Sequence, residues 1–199
     1  TGALALVQQG VMDDVDYFYG MHLRPIQELR YGYFSPAIQH GAARFLQGKI
    51  TGEDAHGARP HLNANAIQVG TELFQHLNNI HLDPSIPYSV KMTQFQAGGK
   101  SPNIIPGSAT FSLDLRAQTN EVMEQLTEQV EKIASMLADY HDVSIHLKMG
   151  ANIAAAILNE EATSIMEEAI LDTVGDKFLK PTIQTTRGAD FPFYTIKRP

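Results

Sequence analysis

Ten residues constrain this fold more than any others. In Ser108–Ala117, Ala109, Phe111, Leu113 and Leu115 alternate with Thr110, Ser112, Asp114 and Arg116. A period of two places the apolar set on one face of a β-strand and the polar set on the other. Such a strand must cover a core with one side only. The period then changes to that of a helix, with Val122, Leu126, Val130, Ile133 and Leu137 three and four apart. Thr119 or Asn120 can cap that helix, and Glu121 and Glu124 suit the positive end of its dipole. The other acids and Lys132 read as a solvated face. From Asp142 to Met149, Val143, Ile145, Leu147 and Met149 alternate once more as a strand.

Upstream the same two periods appear in the order that completes a unit. Leu46, Gly48 and Ile50 alternate with Phe45, Gln47 and Lys49, predicting a strand from Arg44 to Thr51. Ala66, Gly70, Leu73, Leu77 and Ile80 mark one face of a helix within residues 63–80. A turn at Asp83-Pro84-Ser85-Ile86-Pro87 leads into a further strand, Tyr88 to Gln96, which ends at Gly98-Gly99. Over residues 43–149 the order is strand, helix, strand, strand, helix, strand. That is an α+β, split βαβ arrangement, with two helices over one face of a four-stranded antiparallel sheet. Its usual order puts Tyr88–Gln96 at an edge, where Lys91 is the only guarding charge.

The flanks read as two pieces of a second domain, residues 1–42 and 150–199, into which the middle unit is inserted. Leu4, Val7 and Val11 suggest a helix that Gly10 weakens, and Val15 to Met21 has the content of a buried strand. That strand would end at His22, either a packed core residue or a metal ligand. Residues 26–43 are irregular. Beyond Gly150, a helix from Glu160 to Val174 and a short strand near Thr182–Gln184 precede Arg187-Gly188-Ala189-Asp190-Phe191. Thr1 reads as the middle of a helix already under way, and Lys197-Arg198-Pro199 has no tail character, so the chain is expected to be a piece of a longer protein.

Composition narrows the partners. A net charge of −7 argues against nucleic acid, because no basic stripe is available to displace counterions. No apolar run approaches the length needed to span a bilayer, so no membrane partner is expected. Cysteine is absent, which removes disulfides and thiolate metal ligands and fits a cytoplasmic location. The chemistry-bearing stretch is the loop Gly52-Glu53-Asp54-Ala55-His56-Gly57-Ala58-Arg59-Pro60-His61, between a strand and a helix. It reads either as a polar connection with helix-start chemistry or as a functional loop held by rigid elements.

Four segments in order resemble one family. The loop resembles the "GxxxHxAxPH" segment of the zinc-dependent aminoacylase, hippurate hydrolase and glutamate carboxypeptidase family. Asn103-Ile104-Ile105-Pro106-Gly107 resembles its "N-V/I-I-P" turn, and Leu113-Asp114-Leu115-Arg116 the strand that follows. Gly20-Met21-His22-Leu23-Arg24-Pro25 is similar to the "GLHxxP" segment of the amidohydrolase branch. The resemblance implies an α/β metallohydrolase domain, present in part, with a ferredoxin-like βαββαβ lid and dimerisation domain inserted in it.

It also implies roles. His22 would be a ligand of a site for two divalent metal ions, zinc or manganese. His56 would be the catalytic lid histidine that reaches the active site of the other subunit and holds the developing oxyanion. Arg116 would pair with the free carboxylate of the substrate, with Asn103 as a neutral donor beside it. Arg116 could instead be a surface arginine paired with Asp114. The implied reaction is cleavage of the amide bond of N-acyl amino acids or small peptides by a homodimer. The other metal ligands and the base, a D/C-x-H segment and a pair of glutamates, are expected before Thr1, and a last histidine after Pro199. The 199-residue chain by itself is therefore expected to be inactive. Arg187–Phe191 also lacks the glutamate of the branch's "G-[SA]-E-D-F". A separate possibility is a ferredoxin-like module that binds a ligand or dimerises without chemistry.

Overall fold

The computed structural model describes residues 2–197. In chain order the elements are α1 (Gly2–Gln8), β1 (Ile38–His40), β2 (Ala42–Thr51), β3 (Ala55–His56), α2 (Ala66–Asn78) and β4 (Tyr88–Ala97). They continue with β5 (Ile104–Ile105), β6 (Ser108–Ala117), α3 (Asn120–His141), β7 (Ser144–Ile153), α4 (Glu160–Val174), β8 (Ile183–Thr185) and α5 (Pro192–Lys197). The chain divides into two compact units, Ala43–Asn152 and Thr1–Ala42 with Ile153–Pro199. It is an α+β protein.

In the unit Ala43–Asn152 the four long strands stand in the order β4-β6-β2-β7, so β4 lies at an edge. β4 and β6 run antiparallel from Tyr88↔Ala117 to Ala97↔Ala109, with an irregularity between Met92 and Gln94. Along β6, burial follows the alternation: Ala109, Phe111, Leu113 and Leu115 are buried, while Thr110, Ser112, Asp114 and Arg116 keep access to solvent. Leu46 and Ile50 of β2 join Val69, Leu73 and Leu77 of α2 and Val122, Leu126 and Val130 of α3 in the core. Gly48 continues this face, and a Cβ there would lie 2.0 Å from the Phe111 ring, so the aromatic needs the space that glycine leaves.

The helix ends follow capping chemistry. The Asn65 side chain accepts from the Ile67 N–H at 3.0 Å, which starts α2 at Ala66, where the apolar stripe begins, rather than at Asn63. Thr119 caps α3 through the Val122 N–H at 3.2 Å. Asp142 ends that helix in the left-handed region, φ 53°, so β7 begins at Ser144 rather than Asp142. One buried cation was not indicated by the sequence. Arg44 is buried, and its guanidinium donates to Asn152 Oδ1 at 3.1 Å, Thr127 Oγ1 at 2.9 Å and the Glu124 carboxylate. Glu124 is therefore the partner of a buried cation as well as an acid near the start of α3, and Arg44 holds its carboxyl below the usual carboxylate range.

In the second unit β1 and β8 pair in parallel, Ile38↔Ile183 to His40↔Thr185. The helix α1 stops short of the periodic pattern, and the chain turns away at Gly10 with φ 81°. The strand expected over Val15–Met21 does not form. A strand needs a neighbour for its backbone groups, and none of the described strands pairs with this stretch. Its side chains anchor it instead: Phe18 stacks on Phe191 at 5.4 Å, Tyr17 Oη donates to Glu161 Oε1 at 2.7 Å, and Tyr19 Oη to the Ala162 carbonyl at 3.0 Å.

Candidate functional site

The loop carrying His56 and the turn carrying Asn103 are joined by a short ladder. β3 and β5 pair antiparallel, Ala55 opposite Ile105 and His56 opposite Ile104. Hydrogen bonds extend the joint on both sides, from Gly57 N–H to the Asn103 carbonyl at 2.7 Å and from Gly52 N–H to the Gly107 carbonyl at 2.8 Å. Asp54 Oδ1 accepts from Gly107 N–H at 2.8 Å. Asn63 Nδ2 donates to the Asp54 carbonyl at 3.1 Å, and Ala66 N–H to the Pro106 carbonyl at 2.8 Å. The approach at Gly107 is so close that a Cβ would lie 2.2 Å from the Glu53 carbonyl carbon. Much of this loop's unusual composition is thus structural, and its effect is to fix one imidazole.

That imidazole is exposed. The Ala58 N–H donates to His56 Nδ1 at 3.1 Å, so in the neutral ring the proton sits on Nε2. Nε2 faces the Asn103 side-chain amide at 3.4 Å. The contacting amide atom is Nδ2, so the Nε2–H and the Asn103 NH2 group are both donors, neither accepts from the other, and both stay available to an outside acceptor. The pair therefore presents oriented N–H donors on a rigid ladder, the equipment for meeting a developing negative charge.

Arg116 lies on the polar face of β6 and is engaged. Its Nε donates to Asp114 Oδ1 at 2.7 Å and its Nη2 to Oδ2 at 3.0 Å, while the guanidinium carbon stands 5.2 Å from the Phe45 ring centroid. Both side chains remain partly open, 29% for Arg116 and 27% for Asp114. The structure brings His56 and Asn103 together and gives Arg116 a different set of partners.

His22 lies in the other unit. It is exposed, so it is not a core residue. Its Nδ1 faces the Leu23 carbonyl, which assigns the proton to Nδ1 and leaves the Nε2 lone pair for a ligand role. The nearby ring is His40, 6.1 Å away between centroids. His40 was not indicated by the sequence, because a three-residue strand in an irregular stretch has no readable period. It is buried, with Nδ1 at 3.1 Å from the Arg187 carbonyl. Burial lowers its pKa, Arg24 and His22 act in the same direction, and the Arg187 carbonyl and Glu28 oppose them. Among the described residues no three histidine or carboxylate side chains are grouped to hold a metal ion. His22 suits a single ligand position; a complete two-metal site is not present in this set of residues.

A family model described as the peptidase dimerisation domain matches residues 39–142. The chain is 30% identical over 151 residues to an N-acyl-L-amino acid amidohydrolase of Geobacillus stearothermophilus, covering 74% of this chain and 40% of the relative. It is 27% identical over 183 residues to a hippurate hydrolase of Campylobacter jejuni, covering 88% and 47%. Among solved structures it resembles the Bacillus subtilis YXEP protein, a dinuclear metal-binding peptidase of the M20 family, with TM-score 0.74 and 20% identity over 99% of this chain and 49% of that one. The chain spans about half or less of the length of these relatives. No helix among the described residues is long and apolar enough to cross a membrane.

Proposed function

This chain belongs to the M20 peptidase family through its peptidase dimerisation domain, and on that premise we propose that its parent protein is a metal-dependent amidohydrolase. Its substrates are N-acyl amino acids or small peptides with a free α-carboxylate. The observation that carries the proposal is the ladder that fixes His56 beside Asn103 with the His56 proton on Nε2. A neutral imidazole so held donates to the oxyanion formed when the amide carbonyl is attacked, a contribution of roughly 3–4 kcal/mol to the transition state. Asn103 adds a second neutral donor. Arg116 binds the substrate carboxylate through its planar fork. The residues around 43–149 form a ferredoxin-like lid, a reading supported by the strand order β4-β6-β2-β7 beneath two helices. Residues 1–42 and 150–199 contribute part of the catalytic domain.

We infer that His22 is one ligand of a pair of divalent ions, zinc or manganese. The Nε2 left free by its Leu23 contact supports this. When bound, such ions polarise a carbonyl and activate water; the remaining ligands and the general base belong to the rest of the parent. The lids pair to form a homodimer, and His56 serves the site of the opposite subunit. The edge position of β4 supports pairing, and it equally favours a second reading, a dimerisation module without chemistry. Release of free amino acid from N-acetyl and N-benzoyl amino acids by the parent, before and after chelation, separates the two. The proposal expects turnover that chelation abolishes and zinc or manganese restores, with two ions per chain. No turnover by metal-reconstituted parent contradicts it.

A further inference from the structure

Arg116 is engaged by Asp114 along one edge of its guanidinium. A guanidinium offers two bidentate edges, one made by Nε and Nη2 and the other by Nη1 and Nη2. Asp114 occupies the first with both of its oxygens, at 2.7 and 3.0 Å. Nη1 makes no hydrogen bond among the described residues, so the second edge is open. The Phe45 ring lies beneath the guanidinium plane region at 5.2 Å from its carbon, on the adjacent strand β2. One carboxylate and one ring thus hold the most flexible part of the side chain, and the unoccupied edge is the one suited to a further planar carboxylate.

We propose that Asp114 is a positioning residue that presents the Nη1–Nη2 edge of Arg116 to the terminal carboxylate of the ligand, with Phe45 as its platform. The inference deepens the proposed role of Arg116 and rests on it. Two effects compete. Asp114 cancels part of the arginine's charge, which weakens attraction for an anion; it also freezes a rotamer-rich side chain in advance, which removes an ordering cost from binding. The ligand carboxylate would lie on the neighbouring edge of the guanidinium, and the Arg116–Asp114 pair is more than a quarter open to water, so the ligand's repulsion with Asp114 is screened. Direct hydrogen bonding to the ordered edge is not screened in this way. Positioning therefore outweighs repulsion, and the ligand class is a molecule that ends in a free carboxylate, not its amide.

The test uses the metal-free parent, where no turnover complicates binding, with N-benzoylglycine and N-benzoylglycinamide as probes in titration calorimetry. The expected result is that Asp114→Ala weakens N-benzoylglycine about three- to tenfold, the range for mobilising one long side chain. Asp114→Asn, which keeps one accepting oxygen, falls between it and the wild type. Binding of the amide is unchanged by either. In metal-loaded parent Asp114→Ala raises KM with kcat unchanged. Tighter N-benzoylglycine binding by Asp114→Ala overturns the inference and makes Asp114 a competitor for Arg116. Equal weakening of acid and amide overturns it as general loosening of the strand. So does a wild type that fails to prefer the acid. If Arg116→Ala impairs binding of the acid but Asp114→Ala does not, Arg116 keeps its role and only the positioning inference fails. Absence of hydrolysis by loaded parent alongside the expected binding pattern counts against the amidohydrolase reading alone.

Discussion

Gly107 shows how much of a catalytic-looking sequence serves geometry. Its N–H is held by Asp54, its carbonyl by Gly52, and the Glu53 backbone passes where a side chain would begin. Gly107→Ala must push the two backbones apart, and overpacking of this kind costs about 1–3 kcal/mol. A urea titration of the chain should show that loss, and the parent's kcat should fall further than its stability explains, because the ladder carries His56. Unchanged stability and kcat would show that the ladder adapts. At this scale the sequence revealed the cast but not the contacts. The family resemblance singled out His56 and Asn103, and the ladder places them 3.4 Å apart. The spacing did not distinguish residues that hold the loop, such as Asp54, from those presented by it. His40 was invisible because its burial depends on β8, more than a hundred residues away in the chain.

The elements were legible wherever one face is covered. β2, β4, β6 and both helices of the unit Ala43–Asn152 lie where the periodicity puts them, since packing enforces the periods that the sequence displays. Val15–Met21 has strand composition without strand structure, because composition cannot supply a neighbouring strand. Contacts between helices were also unreadable. His141 at the end of α3 meets Glu72 of α2 at 2.6 Å between Nε2 and Oε2, and this hydrogen bond is the main cause that lowers the Glu72 pKa. A carboxylate with a depressed folded pKa stabilises the fold above its unfolded value and ceases to do so as pH falls through the folded one. The contribution should therefore be complete above the ordinary glutamate range and fade as pH falls through the lower value of the folded state. Glu72→Gln is expected to lower stability by up to about 1 kcal/mol near pH 6 and to differ less from the wild type near pH 3. Unfolding curves at the two pH values check this; an equal deficit at both would assign the effect to packing rather than charge.

On the scale of the whole molecule, the proposed enzyme is divided between units and between subunits. The edge strand β4 offers unpaired backbone groups along Tyr88–Ala97, and a two-fold pairing of such edges is the isologous contact commonest among homodimers. The account holds that His22 and His56 belong to one hydrolytic site completed across that dimer. Mixing two inactive variants of the parent, His22→Ala and His56→Ala, tests this most directly. Each homodimer should be nearly silent. A purified heterodimer contains one metal site with an intact His22 facing an intact His56 from its partner, and should recover about half of the wild-type kcat per dimer. A heterodimer as inactive as its parents would contradict the account.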